Sequence, residues 1–192
     1  MRIFCHKHSG NIYSITKAYN YIGHPITLFE NISDISPNKN DLILISGVGT
    51  FDQSLSLYPK DSILNFHENN INILGICSGF QSLFKASEEG QATGYGFFNS
   101  NVELLDKSKK TYYGWNQIYS EDEKRVGEFY FTHTYGVNLF NEIDTDVYFS
   151  NTFNKKVIAI IKKGNVCGFQ FHPEKSGIAG LVALEKHIRS IA

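Results

Sequence analysis

A chain of 192 residues, 42% of them hydrophobic, is long enough to bury a core of its own, which excludes a disordered or fibrous protein. A formal net charge of -1 and a pI near 6.6 exclude a generic binder of nucleic-acid phosphates. Three cysteines without a CxxC pair, an opening that runs into Cys5-His6-Lys7-His8 instead of an apolar leader, and no apolar run near the ~18 residues of a membrane span together predict a cytoplasmic protein.

Along the chain, short apolar runs alternate with helical patterns, which predicts an α/β domain with a largely parallel central sheet flanked by helices. Arg2 to Cys5 reads as the first strand, Ser14 to Ile22 as a helix, Ile26 to Phe29 as a strand and Asp41 to Ile45 as the next. Asp52 to Phe66 reads as helical with a break near Pro59, whose ring cannot donate to the ladder. The stretch from about Val102 to Phe171 is richer in strand-like and aromatic runs, among them Phe129 to Thr132, Val157 to Ile161 and Val166 to Phe171. Gly180 to Ile191 closes the chain as a helix. No repeat, low-complexity tract or linker divides it, so one domain over residues 1–192 is expected.

The most informative segment is Asn72-Ile-Leu-Gly-Ile-Cys77-Ser-Gly-Phe-Gln81, an apolar strand-like run followed at once by a short helix-like one. Gly75 and Gly79 flank Cys77 as glycines flank the nucleophile in G-x-S-x-G, where the sharp turn leaves no room for neighbouring side chains. A cysteine at a helix N-terminus has its thiolate stabilised by the helix dipole and unpaired N–H groups. The bland alternative is a buried core cysteine. A base is supplied by Val166-Cys-Gly-Phe-Gln-Phe-His172-Pro-Glu174-Lys-Ser176, a strand-like run ending in His172 with Glu174 two residues on. Extended backbone, which Pro173 favours at His172, sends both side chains to one side. Glu174 can then hold one ring nitrogen while the other takes the thiol proton, making Cys77, His172 and Glu174 a candidate triad.

Other constellations carry less. Gly47-Val48-Gly49 lacks the third glycine of a dinucleotide loop, and no phosphate-binding lysine follows. Cys5, His6 and His8 fall on opposite faces of a strand and have no second ligand cluster, so no metal and no cofactor is expected. The 11 tyrosines and 15 phenylalanines read as core and edge filling.

These residues carry a resemblance. Gly10-Asn11 with Ser14, Lys17, Ala18 and Ile22-Gly23, then Gly47-Val48-Gly49, the Gly75 to Phe84 elbow and Ser87-Glu88-Glu89 appear in order. Gly114-Trp115-Asn116, Tyr130 to Tyr135 and Phe169 to Ser176 follow. The chain resembles the class I glutamine amidotransferases, and among them the glutaminase subunits of imidazole glycerol phosphate synthase. The resemblance implies a flavodoxin-like fold and hydrolysis of glutamine to glutamate and ammonia through a thioester on Cys77. It implies oxyanion donors at Gly47, Val48, Gly49 and Ser78, and glutamine held by Gln81, Glu89 and the backbone of Thr134 and Tyr135. Of the two glutamates, Glu89 is the expected substrate ligand and Glu88 a solvated helix end, while His133 serves packing or pocket geometry. The resemblance further implies a (β/α)8-barrel cyclase that takes up the ammonia for histidine biosynthesis, in a heterodimer docked near Trp115, Asn116 and Lys175. Four departures stand out: Cys5-His6-Lys7-His8 in the first strand's end, Ser46 for a usual proline, which leaves the oxyanion loop less constrained, Ser78 for a leucine, and Tyr113 for a methionine. A relative that supplies ammonia for amidating a surface sugar, and a hydrolase of another γ-glutamyl amide, remain open alternatives.

Overall fold

The computed structural model of the protein describes residues 1–47, 49–108, 110–140 and 142–191. Five strands run parallel: β1 (Ile3–His6), β2 (Ile26–Phe29), β3 (Leu42–Ser46), β4 (Asn72–Ile76) and, late in the chain, β11 (Val166–Phe169). Between them in sequence come β5 (Glu103–Leu104), β6 (Tyr112–Ser120), β7 (Arg125–His133), β8 (Tyr135–Gly136), β9 (Asp146–Thr152) and β10 (Lys155–Lys163). The nine-stranded sheet has the order β2-β1-β3-β4-β11-β10-β9-β6-β7, its second half antiparallel, and β5 pairs with β8 apart from it.

Every residue of β1, β3, β4 and β11 is buried, and successive side chains enter opposite layers, as a sheet covered on both faces requires. Ile43, Ile45, Ile73 and Phe4 pack with Phe66 and Phe80 on one side. Leu42, Leu44, Leu74, Ile3 and Cys5 pack with Ile15, Leu184 and Ile188 on the other. Helices α2 (Phe51–Leu57), α3 (Lys60–Glu68) and the one-turn α4 (Ser78–Gln81) contribute to the first layer, and α1 (Ile12–Tyr21) and α5 (Gly177–Ile191) to the second. Because both layers are apolar, the central strands read as unbroken hydrophobic runs.

The break at Pro59 separates α2 from α3, with Pro59 itself the N-cap of α3. The last helix starts at Gly177, three residues earlier than its pattern; Gly177 takes φ +56° where the chain turns into it, and Gly180 lies so close to the Pro173 carbonyl that a Cβ would sit 1.9 Å from it. The helix after Cys77 lasts one turn. Glu88 and Glu89 therefore lie on a turn beyond the isolated bridge between Ser87 and Val102, not on a helix end. Glu88, exposed as expected, also accepts a hydrogen bond from the Leu104 N–H at 2.7 Å.

Candidate active site

Cys77 follows the last residue of β4 and adopts φ +55°, ψ -112°, a conformation that costs a non-glycine residue about 1–3 kcal/mol. The flanking glycines make that turn possible. A Cβ on Gly75 would stand 2.4 Å from the Gly79 carbonyl oxygen, and one on Gly79 would stand 1.9 Å from the carbonyl oxygen of Ile45 in β3. The Cys77 N–H donates to Phe169 O at 2.9 Å, tying the nucleophile's backbone to the strand that leads to His172.

His172 is extended at φ -98°, ψ 98°, but Glu174 reaches it from within a 3-10 turn, Pro173–Lys175, and not along extended chain. Nδ1 of His172 donates to Glu174 Oε1 at 2.8 Å, and the same oxygen accepts from Asn11 Nδ2 at 2.5 Å. The imidazole backbone is clamped as well. His172 N donates to Tyr130 O at 2.9 Å, while the Ser176 hydroxyl accepts from Tyr130 N and donates to His172 O at 2.7 Å. His172 Nε2 is buried, and its contact with Cys77 falls outside ordinary hydrogen-bond geometry, as catalytic contacts often do without substrate.

Burial opposes charge on His172, yet the Cys77 thiolate and the Glu174 carboxylate outweigh it and hold the imidazole up to about 10. Burial pushes Glu174 the other way, but its bonds to His172 and Asn11 and the imidazolium charge keep it below the usual carboxylate range. The arrangement favours an imidazolium backed by a carboxylate, beside a Cys77 whose Sγ donates to Thr132 O at 3.7 Å. Burial pushes the Cys5 thiol up and the Cys167 thiol to about 12.

Gly47 lies against the start of α4, where a Cβ would meet Ser78 Oγ at 2.7 Å and Ser78 N at 2.9 Å. The first N–H of a helix has no intrahelical acceptor, so Ser78 N and the Gly47 loop border one small volume beside Cys77. Gly49 takes φ +55° with Gln53 Oε1 filling its side-chain space, and Val48 lies outside the described residues. Ser46, where a less constrained loop was expected, donates its hydroxyl to Gly10 O at 3.1 Å, a tether in place of the proline ring. Ser78, the polar replacement for leucine, is satisfied by Ser54 Oγ at 2.7 Å.

Gln81 projects from the elbow helix, its Nε2 donating to Tyr135 O at 2.8 Å and Gln170 Oε1 at 3.2 Å. Glu89 Oε2 accepts from Phe51 N at 2.7 Å, at the start of α2 just beyond the Gly47–Gly49 loop. Asp52 accepts in return from Gln91 N and Ala92 N, so the Glu89 turn and α2 hold each other. Thr134 bonds through its hydroxyl to Thr111 and through its carbonyl to Leu105 N. The structure thus gathers Cys77, His172, Glu174, Gly47, Ser78 and Gln81 around the carboxyl ends of β3, β4 and β11, as in open α/β sheets. Trp115 lies on β6 with 52% of its surface exposed, edge-on to Tyr130, and is not the core tryptophan that competed with a surface role. Asn116 beside it bonds to Asn151 O, and Lys175 is exposed.

Three supporting residues escaped the sequence reading of the site. Asn11, Gln170 and Ser176 lie inside the motifs that carry the resemblance, and none of them is assigned there to the triad or the pocket. Their signal was a polar side chain in an otherwise apolar or turn context.

The family description "Glutamine amidotransferase class-I" matches residues 6–185. The imidazole glycerol phosphate synthase subunit HisH of Staphylococcus epidermidis is 31% identical over 94% of this chain and 92% of its own. The subunit of the same name from Thermotoga maritima is 33% identical over 83% of this chain and 85% of its own. Two solved structures share the fold: one described as a glutamine amidotransferase, with a TM-score of 0.73 at 14% identity, covering 100% of this chain and 98% of that one, and PurLQS from Thermotoga maritima, with a TM-score of 0.71 at 18% identity, covering 100% and 99%.

Proposed function

We propose, from the premise that this chain belongs to the class I glutamine amidotransferase family, that it is the glutaminase subunit of an imidazole glycerol phosphate synthase, a single domain over residues 1–192. The Cys77 thiolate attacks the carboxamide carbon of glutamine, and the oxyanion takes hydrogen bonds from backbone N–H groups of Gly47, Val48, Gly49 and Ser78. Losing one such donor typically costs on the order of a hundred- to a thousandfold in turnover. His172 Nε2 delivers its proton to the departing nitrogen, ammonia leaves, and a γ-glutamyl thioester remains. Water, deprotonated by His172, then attacks the thioester, releasing glutamate and regenerating the thiolate. Glu174 keeps His172 in the Nδ1–H tautomer throughout.

Glutamine is held by Gln81 and by the Glu89 carboxylate, whose charge suits the substrate ammonium, with the Thr134 and Tyr135 backbone at its amino-acid end. The ammonia passes to a (β/α)8-barrel cyclase in a heterodimer whose contact includes Trp115, Asn116 and Lys175. No helix among the described residues is long and apolar enough to cross a membrane, and the cytoplasm is the proposed compartment.

The observation that carries this reading is the bond of His172 Nδ1 to Glu174 beside a strained Cys77 elbow. The test is glutamate release by the purified chain, alone and with a histidine-pathway cyclase plus its nucleotide ligand, with Cys77→Ala as control. Release that the cyclase stimulates and the substitution abolishes is the expected result. Release indifferent to the cyclase would move the acceptor to another pathway, and none at all would overturn the glutaminase.

A further inference from the structure

Gln170 is the one polar side chain between Phe169 and Phe171, whose rings stack on each other 5.0 Å apart. Its backbone N–H continues the pairing toward β10, donating to Ala159 O at 2.9 Å, so its side chain leaves the strand on the face opposite those rings. There it is 0% exposed and meets Gln81.

The orientation of every group in this cluster follows from one carbonyl. Tyr135 O can only accept, and it lies 2.8 Å from Gln81 Nε2 and 2.9 Å from His133 Nδ1, so both atoms carry hydrogen. Gln81 therefore turns its NH2 inward, and the Gln170 atom 3.2 Å away is the oxygen. Both N–H bonds of Gln81 are taken by Tyr135 O and Gln170 Oε1, which leaves its own oxygen on the opposite edge of the amide. Burial holds His133 neutral, down to about 4, in keeping with the Nδ1–H tautomer. Gln170 Nε2 and His133 Nε2, by contrast, are buried with no partner among the described residues. An unpaired buried amide is a cost that a leucine at 170 would not carry. What the glutamine adds over leucine is its oxygen.

We infer that Gln170 is a positioning residue that locks the amide of Gln81 with its oxygen toward the substrate. Gln81 Oε1 and the Glu89 carboxylate then form a pair of acceptors matched to the α-ammonium of the substrate, and a turned Gln81 amide would aim NH2 at that cation instead. This rests on the glutaminase reading above and adds to it the residue that fixes the polarity of the pocket.

The test compares kcat/KM for L-glutamine with that for glutaramate, which has the same carboxamide and lacks the ammonium, in the complex with the cyclase. The ratio of the two is independent of how much of a variant is folded. Gln170→Leu is expected to lower that ratio about tenfold, as loss of an oriented hydrogen bond to a charged group does, mainly through KM for glutamine. Gln170→Glu keeps an acceptor facing Gln81 and is expected to restore the ratio to within about twofold. An unchanged ratio in Gln170→Leu would overturn the inference, and so would an equal fall in Gln170→Glu, which would reduce the residue to a filler of volume. A wild-type complex that hydrolyses neither amide would instead overturn the glutaminase reading on which the inference stands.

Discussion

Replacing Glu174 by glutamine separates the two things its carboxylate does. One oxygen, Oε1, accepts from both His172 Nδ1 and Asn11 Nδ2, whereas Oε2 is buried without a partner among the described residues. A glutamine that places its carbonyl oxygen where Oε1 lies keeps both bonds and so keeps the tautomer of His172; what it loses is charge. Opposite charges about 4 Å apart at an effective dielectric of ~20 attract by about 4 kcal/mol, which bounds the loss from above. The Cys77 thiolate still faces the ring, so a part of the imidazolium's support remains. We therefore expect kcat of Glu174→Gln to fall roughly 10- to 100-fold, about 1.4–2.8 kcal/mol of barrier. Glu174→Leu leaves the Nδ1–H without an acceptor and frees the ring to present the wrong nitrogen, for which a loss on the order of 10³–10⁴ is expected. The assay is glutamate release at saturating glutamine with the cyclase present, accompanied by an NMR titration of His172 that should move below its value of about 10 in the glutamine variant. Equal losses in the two variants would refute the separation of charge from orientation.

Asn11→Ala removes the second bond to Glu174 Oε1 and is expected to lower kcat by about tenfold with KM for glutamine unchanged, checked by steady-state kinetics. Gly79→Ala sets a Cβ 1.9 Å from Ile45 O, so the elbow must shift against β3, and a loss of roughly 1–3 kcal/mol should appear as a lower urea midpoint. For pH, the folded-state value of His172 lies above its unfolded value of about 6.5, so its contribution to stability is complete below that pH and disappears as pH rises through about 10. Urea titrations between pH 6 and 10 should follow this decline in the wild type and a weaker one in Cys77→Ala, where the thiolate is gone. Trp115→Ala should weaken cyclase binding by about tenfold or more, measured by calorimetry, and leave hydrolysis by the isolated chain as it was.

The placement of Cys77 on a turn and of Glu174 against His172 was legible in the sequence because each half is contiguous: sterics confine positions 75 and 79 to glycine, and Glu174 is two residues from His172. The parallel strands were legible too, since burial on both faces makes them plain apolar runs. Strands β6 and β9 were not singled out, because β6 carries exposed and half-buried residues in turn, from Tyr113 and Trp115 to Gln117. Contacts that join distant segments left no local trace. The bond of Asn11 to Glu174 spans 163 positions and that of Gln81 to Gln170 spans 89. The short elbow helix was the other surprise, and its cause lies in the loop from Lys85 to Ser100, which takes over the hydrogen bonds of Ser82, Leu83 and Phe84. That loop carries the chain round to Glu89, so the residue reaches α2 from a turn.

The central claim is that Cys77 alone of the three cysteines is a nucleophile for the glutamine side chain. Its most direct test is the intact and peptide mass of the chain after exposure to a chloroketone analogue of glutamine, with and without excess glutamine. One adduct on Cys77, slowed by glutamine and abolished in His172→Ala, is the result this account predicts. Labelling of Cys5 or Cys167 at comparable rate, or labelling of Cys77 that glutamine does not slow, would contradict it.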